Sequence, residues 1–77
     1  MLNGKITSVI FPDGKIKHPD LIGTNVTFDE NITVGKPMLI LKGEGYISTS
    51  NVEKIERSAN KVVIHTLNST YCIENVS

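Results

Sequence analysis

The stretch from Lys61 to Ile73 constrains the fold of this chain more than any other. Two runs that are rich in β-branched residues, Val62 to Thr66 and Thr70 to Ile73, flank the tripeptide Leu67-Asn68-Ser69. Asn and Ser side chains bond to nearby backbone groups and stabilise tight turns between strands. The stretch therefore predicts a β-hairpin.

Short segments of β-type pattern precede this hairpin, and Gly, Pro, Asn and Asp residues separate them. They are Asn3–Phe11, Lys15–Lys17, Thr24–Phe28, Ile32–Val34, Met38–Leu41 and Tyr46–Arg57. No convincing helical period competes with them. The pattern predicts one all-β domain over residues 1–77, a small, partly open antiparallel barrel of the SH3-like or OB-like sort with about five to seven short strands.

Two apolar segments predict which residues form the core. Met38 to Leu41 is apolar at every position, which predicts a strand that is buried on both faces and is the most buried of the sheet. In the opening segment, alternation predicts Ile6 and Ile10 on one side and Val9 and Phe11 on the other. A core this small is expected to contain Phe11 together with Phe28.

The segment that follows Tyr46 leaves two structures open. Val52 and Ile55 are three residues apart, which breaks strict alternation and predicts a bulge, a bend or one helical turn around Ser48 to Val52. The alternative is a short helix from Asn51 to Arg57, capped by Ser50 with Glu53 at the capping-box position.

Composition narrows the classes of protein that this chain can represent. The 8 basic and 8 acidic residues cancel, so the chain lacks the overall positive charge that is usual in nucleic-acid binders. The single cysteine, Cys72, is expected to be a small buried hydrophobe in a reducing compartment. No apolar stretch is long enough to cross a bilayer, so a cytoplasmic protein without membrane contact is expected. A domain of this size gains little from its core, which makes a homo-oligomer possible.

The sequence predicts no enzyme, metal site or cofactor. The 2 histidines, His18 and His65, belong to no triad or carboxylate pair that could carry catalysis. Cys72, His65 and Glu74 are the one conceivable metal-ligand set, and their spacing matches no known ligand pattern.

Candidate binding residues lie mainly in and near the hairpin. His65, with Lys61 and Tyr71, could form a polar and aromatic surface next to Asn68, whereas the alternative is a half-buried histidine bonded to a neighbouring strand. Tyr46 and Tyr71, with Arg57 and Lys61, could stack on and hold a nucleotide, and the alternative is that both tyrosines are structural. The candidate set is Tyr46, Arg57, Lys61, His65, Asn68 and Tyr71.

Two segments carry a resemblance to a known group of proteins. They are Thr49-Ser50-Asn51-Val52-Glu53-Lys54-Ile55-Glu56 and the later Val62-Val63-Ile64-His65-Thr66-Leu67-Asn68-Ser69-Thr70-Tyr71, and they contain the patterns Thr-Ser-x-Val-x-x-Ile-Glu and Thr-x-Asn-Ser-x-Tyr. These patterns occur in short uncharacterised β proteins of phages and prophages of Gram-positive bacteria. The resemblance implies an accessory phage protein that binds and blocks a host factor in the host cytoplasm, and it implies no catalytic residue.

Three functional hypotheses follow. The first is a non-enzymatic module that binds a host protein through an exposed strand edge or the face around His65 and Tyr71. The second is an oligomer that sequesters a small nucleotide between its subunits with Arg57, Lys61 and Tyr46. The third is a nucleic-acid-binding barrel, and its candidate contact residues are Lys5, Lys15 and Lys17.

Overall fold

The computed structural model describes all residues from 1 to 77 and shows an antiparallel β-barrel. Its strands are β1 (Leu2–Ile10), β2 (Asn25–Phe28), β3 (Pro37–Lys42), β4 (Gly45–Ser58), β5 (Lys61–Thr66) and β6 (Thr70–Glu74). Each strand pairs with the next along the chain, and β6 returns to β1, which closes the ring. A 3₁₀ turn at Pro19–Leu21 is the one helical element, and the chain has no helix that could span a bilayer. The predicted all-β barrel is confirmed.

The C-terminal hairpin forms where the sequence predicts it. β5 and β6 pair from Lys61 with Glu74 to His65 with Thr70. Thr66 and Ser69 close the turn, because the Thr66 N–H donates to the Ser69 carbonyl at 2.8 Å and the Ser69 N–H donates to the Thr66 hydroxyl at 3.1 Å. Both residues are buried, so the Thr66 hydroxyl satisfies backbone groups of Ser69 that water does not reach.

The core occupies the barrel interior and draws on every strand. Its buried residues are Ile6, Val9, Leu21, Val26, Phe28, Met38, Ile40, Val52, Val62, Ile64, Tyr71 and Ile73. On β1, the register shifts between Ile6 and Ser8, which brings both Ile6 and Val9 to the interior. The prediction that Ile6 and Val9 lie on opposite sides is wrong, because a bulge inserts one extra residue between them.

The prediction that β3 is buried on both faces is also wrong. Met38 and Ile40 are buried, but Leu39 is 51% exposed and Leu41 is 37% exposed. A wall of a barrel that lacks an outer layer has only one face against the core, so alternate residues of β3 face water whatever their chemistry.

Two further residues expected in the core lie nearer the surface. Phe28 is fully buried, whereas Phe11 is 42% exposed and lies 5.2 Å from the ammonium of Lys17, measured to the ring centroid. Cys72 is half-buried on the outer wall rather than in the core, because it pairs with Val63 and its neighbours Tyr71 and Ile73 take the inward positions.

Residues 51–57 lie within β4, so the alternative of a short helix is wrong. The predicted bulge is present, since Ser48 pairs with Leu39 while Asn51 pairs with Pro37, which leaves an extra residue on β4. A second shift lies between Val52 and Lys54 in the pairing with β5. These irregularities bend β4 so that its two halves join different parts of the barrel wall.

Thr49 compensates for the first bulge. The Met38 N–H donates to the Thr49 hydroxyl at 2.9 Å, and that hydroxyl donates to the Ser50 carbonyl at 2.7 Å. Thr49→Val would keep the shape but leave the buried Met38 N–H without an acceptor, so we expect a loss of about 1–3 kcal/mol in the free energy of unfolding, measured by urea denaturation. Thr49→Ser keeps the hydroxyl and is the control. An equal loss in both variants would show that the methyl group, not the hydrogen bond, matters.

Candidate functional site

The two halves of β4 pair with different strands. Residues 45–51 pair with β3, and residues 52–58 pair with β5. Each half therefore has a strand neighbour on one side only. Outside the strand ladders, no backbone hydrogen bond involves any residue from 46 to 50 or from 53 to 58. Both halves of β4 are uncovered edges in an otherwise closed ring.

The two edges differ in charge. The edge at residues 53–58 carries Glu53, Lys54, Glu56 and Arg57, and charged side chains of this kind discourage pairing with another strand. The edge from Tyr46 to Ser50 carries no charged residue. The second edge thus lacks the protection that the first one has, and we call it the open edge.

The register of the β3–β4 hairpin determines which backbone groups the open edge presents. Lys42 pairs with Gly45 across a two-residue turn, and the residues that flank such a turn exchange hydrogen bonds. Because antiparallel pairs alternate, the N–H and C=O groups of Tyr46 and Ser48 point away from β3. The open edge therefore offers two donors and two acceptors at the spacing of a β-strand.

A cleft of about 370 Å³ borders the open edge. It exists because β5 ends at Thr66 while β4 continues beyond it, so the β5–β6 turn reaches no farther than Ser50. There the Asn68 N–H donates to the Ser50 hydroxyl at 3.1 Å. The lining residues are Lys17, His18, Asp20, Leu21, Lys42, Tyr46, Ile47, Ser48, Ser50, Asn68, Ser69 and Tyr71.

Three of the predicted site residues line this cleft. Tyr46 lies on the open edge with its side chain 66% exposed, and Asn68 lies on the opposite wall. Tyr71 reaches the cleft from the core, where it is only 5% exposed. Because Tyr71 pairs with Ile64, it points inward, away from His65 and Lys61. The prediction of one outer surface formed by His65, Lys61 and Tyr71 is wrong.

Arg57 and Lys61 lie at the other end of β5, next to the β4–β5 turn. The Arg57 guanidinium donates to the Glu30 carbonyl at 2.9 Å. The β5–β6 turn, which contains Asn68, lies at the opposite end of the β5–β6 hairpin. Tyr46 lies beyond that turn along β4. Within one chain the structure therefore does not bring Arg57 and Lys61 together with Tyr46, and a nucleotide site that combines them between subunits stays a prediction.

His65 lies on the outer wall of β5. Its Nε2 is 2.7 Å from a Glu56 carboxylate oxygen, and its Nδ1 is 3.4 Å from the Thr70 hydroxyl. The side chain is 34% exposed. This arrangement confirms the alternative interpretation of His65 as a half-buried histidine that bonds to neighbouring strands.

The pKa of the Glu56 carboxyl group depends on this contact with His65. The hydrogen bond with His65, and next the positive charge of Lys54, hold the pKa of Glu56 below its ordinary value of 4.5. A carboxyl whose pKa is lowered in the folded state stabilises the fold above its unfolded-state pKa, and that contribution is lost as pH falls through the lowered value. Since Glu56 is on the surface, the contribution is small.

We expect Glu56→Gln to be less stable than the parent at neutral pH, and we expect this difference to shrink as pH falls below 4.5 through the lowered pKa of Glu56. Urea unfolding across this pH range measures the difference. Glu53→Gln, which removes an exposed carboxylate of the same strand that forms no ion pair, is the control. Identical acid sensitivity in the parent and Glu56→Gln would contradict the expected role of the contact.

The other concavities have fewer features of a binding site. One of about 610 Å³ lies beside β1 and β2, and Lys5 is its one charged residue. Another of about 300 Å³ lies between Met1, the residues after β2 and the start of β3. Lys5 and Lys17 thus line different concavities rather than one basic patch.

Lys42 and Ser48 line the cleft but are absent from the predicted site residues, and Lys17, which also lines it, is predicted only as a nucleic-acid contact. A signal for them was present, because the predicted strand from Tyr46 to Arg57 is much longer than the predicted strand from Val62 to Thr66 that follows it. A long strand beside a short hairpin must extend past it and leave part of its edge unpaired.

The comparisons with known proteins add no relative. No protein-family model matches the chain, and neither a curated protein nor a solved structure matches it significantly.

Proposed function

We propose that this protein is a non-enzymatic binding module that captures an extended segment of another protein at the open edge of β4. The observation that carries the proposal is the uncharged, unpaired edge from Tyr46 to Ser50 beside a cleft. A segment that adds to a sheet edge gains main-chain hydrogen bonds, and pockets beside the edge select its side chains. The open edge supplies the first of these and the cleft supplies the second.

The partner we propose is a host protein, and the chain acts as an accessory protein of a phage or prophage in the host cytoplasm. The resemblance of residues 49–56 and 62–71 to phage and prophage proteins supports this partner. Recognition through main-chain bonds also suits a chain without a catalytic cluster, because it needs few specialised side chains.

Amide hydrogen exchange followed by NMR tests whether the edge is available. We expect the Tyr46 and Ser48 amides to exchange rapidly in the free protein, while the Ile47 amide, which the register places in the β3 ladder, is protected. Protection of all three amides in a monomer would mean that the edge is covered, and the proposal would fail.

Selection of random peptides from a display library then tests binding. A Ser48→Pro variant, which lacks the Ser48 N–H, serves for counter-selection. We expect the selected peptides to slow exchange at Tyr46 and Ser48. Failure to find any peptide that distinguishes the parent from the variant would overturn the proposal, as would binding of free nucleotides in the cleft with no change at these amides.

A second copy of the chain is the competing occupant of the open edge. Sedimentation tests for it by measuring the oligomeric state. If the parent is a dimer and Ser48→Pro is a monomer, the open edge pairs with its own copy, and the proposal of a foreign segment is wrong. A monomeric parent leaves the edge free for another protein, as we expect.

A further inference from the structure

From the charges around the open edge, we infer that the captured segment is acidic, with carboxylate side chains at alternate positions that face Lys17 and Lys42. This inference rests on the proposed function, since it concerns the segment that the edge would bind. It specifies the side-chain chemistry of that segment, which main-chain hydrogen bonds do not determine.

The cleft contains more basic than acidic side chains. Lys17 and Lys42 line it, and Asp20 is the one acidic residue among the lining side chains. The ion pairs of the chain both involve Glu56, with Lys54 and with His65, so neither Lys17 nor Lys42 has a carboxylate partner. Two lysines against one carboxylate give the cleft a net positive charge, which favours an anionic ligand.

Both lysines are placed by the fold rather than free in solvent. The Lys17 ammonium donates to the Ser69 hydroxyl at 2.8 Å and lies above the Phe11 ring. Lys42 is the last residue of β3 and continues the inward-facing series of Met38 and Ile40, so its half-buried side chain lies at the end of the barrel. Less side-chain entropy is lost when such lysines bind a ligand.

The alternation of side chains along a β-strand fits the placement of these two lysines. In a segment that pairs with β4, alternate side chains lie on the same face of the sheet as Lys42, and the others lie on the face of Tyr46 and Ser48. Carboxylates at every second position would thus approach the lysines, while the intervening side chains would contact Tyr46. A basic segment would meet unpaired positive charge, and so would a second copy of this chain, because its own lysines lie beside the same edge.

Three synthetic peptides of about ten residues test the inference. Valine alternates with glutamate in the first, with glutamine in the second and with lysine in the third. NMR titration of the parent protein gives each affinity, and exchange at Tyr46 and Ser48 shows whether the peptide occupies the edge. We expect the glutamate peptide to bind at least about tenfold more tightly than the glutamine peptide. We also expect its binding to weaken as NaCl rises from about 50 mM to about 500 mM.

Substitutions of single lysines test which side chain causes the preference for the glutamate peptide. Lys42→Gln should reduce the preference for glutamate over glutamine. Lys36→Gln, which removes a lysine that lies outside the cleft, should leave it unchanged.

The outcomes separate this inference from the proposed function. Equal protection of the open edge by all three peptides would overturn the acidic preference and leave edge capture intact. No protection by any of them, combined with failure of the library selection, would overturn both. Binding of free glutarate as tight as that of the glutamate peptide would show a site for small anions and would also overturn the inference.

Discussion

Ser48→Pro is expected to fold as the parent does and to bind a partner segment about 100-fold more weakly, which corresponds to about 2.7 kcal/mol. The register directs the Ser48 N–H away from β3, so proline removes a donor of the open edge without breaking a bond of the β3–β4 ladder. The pyrrolidine ring also occupies the space that an added strand needs. Titration of a selected peptide into both proteins, by NMR or calorimetry, measures the change.

Two matched variants identify the cause of the loss. Ser48→Thr alters the side chain but keeps the N–H, and it should bind as the parent does. Arg57→Pro places proline on the other, charged edge of the same strand, and it should also retain binding. Full affinity in Ser48→Pro would refute edge capture, and a comparable loss in Arg57→Pro would point to a general distortion of β4.

Phe28→Ala is expected to leave the protein largely unfolded at room temperature. Replacing a buried phenylalanine with alanine costs about 3–5 kcal/mol, which is close to all that the core of so small a domain supplies. Phe28 is fully buried, and its register neighbours are Leu2 on β1 and Ile40 on β3. The β2–β3 seam contains only the pairs Thr27 with Leu41 and Phe28 with Ile40, so side-chain packing must do much of the work of holding β2 against β3.

Thermal melting followed by circular dichroism, together with the dispersion of the NMR spectrum, measures this effect. Phe11→Ala is the matched control, since it removes the other phenylalanine, which lies at the surface against Lys17. We expect Phe11→Ala to cost less than about 1 kcal/mol. A Phe28→Ala protein that melts within a few degrees of the parent would show that β2 depends on hydrogen bonding instead.

Predictions from the sequence succeeded where the deciding interactions are local. The hairpin of β5 and β6 follows from alternation and from the turn at Asn68 and Ser69, and the bulge in β4 follows from the spacing of Val52 and Ile55. Both depend on residues within a few positions of each other, so the chain itself carries the information.

Predictions failed where a residue's position depends on elements distant in the chain. Leu39 and Leu41 are apolar, but no layer covers the outside of β3, so they are exposed. Tyr71 was expected on the same surface as His65, but the pairing of β6 with both β1 and β5 directs it into the core. Within one chain, the length of β4 also separates Arg57 and Lys61 from Tyr46, so these residues could meet only between subunits.

The sequence by itself determined that this chain is an all-β barrel with a C-terminal hairpin from Lys61 to Ile73, because strand period and turn chemistry act over short distances. Only the tertiary structure decided where a partner could bind. β5 ends at Thr66 and leaves Tyr46 to Ser50 unpaired, and the loop that carries Lys17 and the end of β3 that carries Lys42 meet beside that edge. Closing the ring brings together groups that lie far apart in the chain, and no local pattern encodes that meeting.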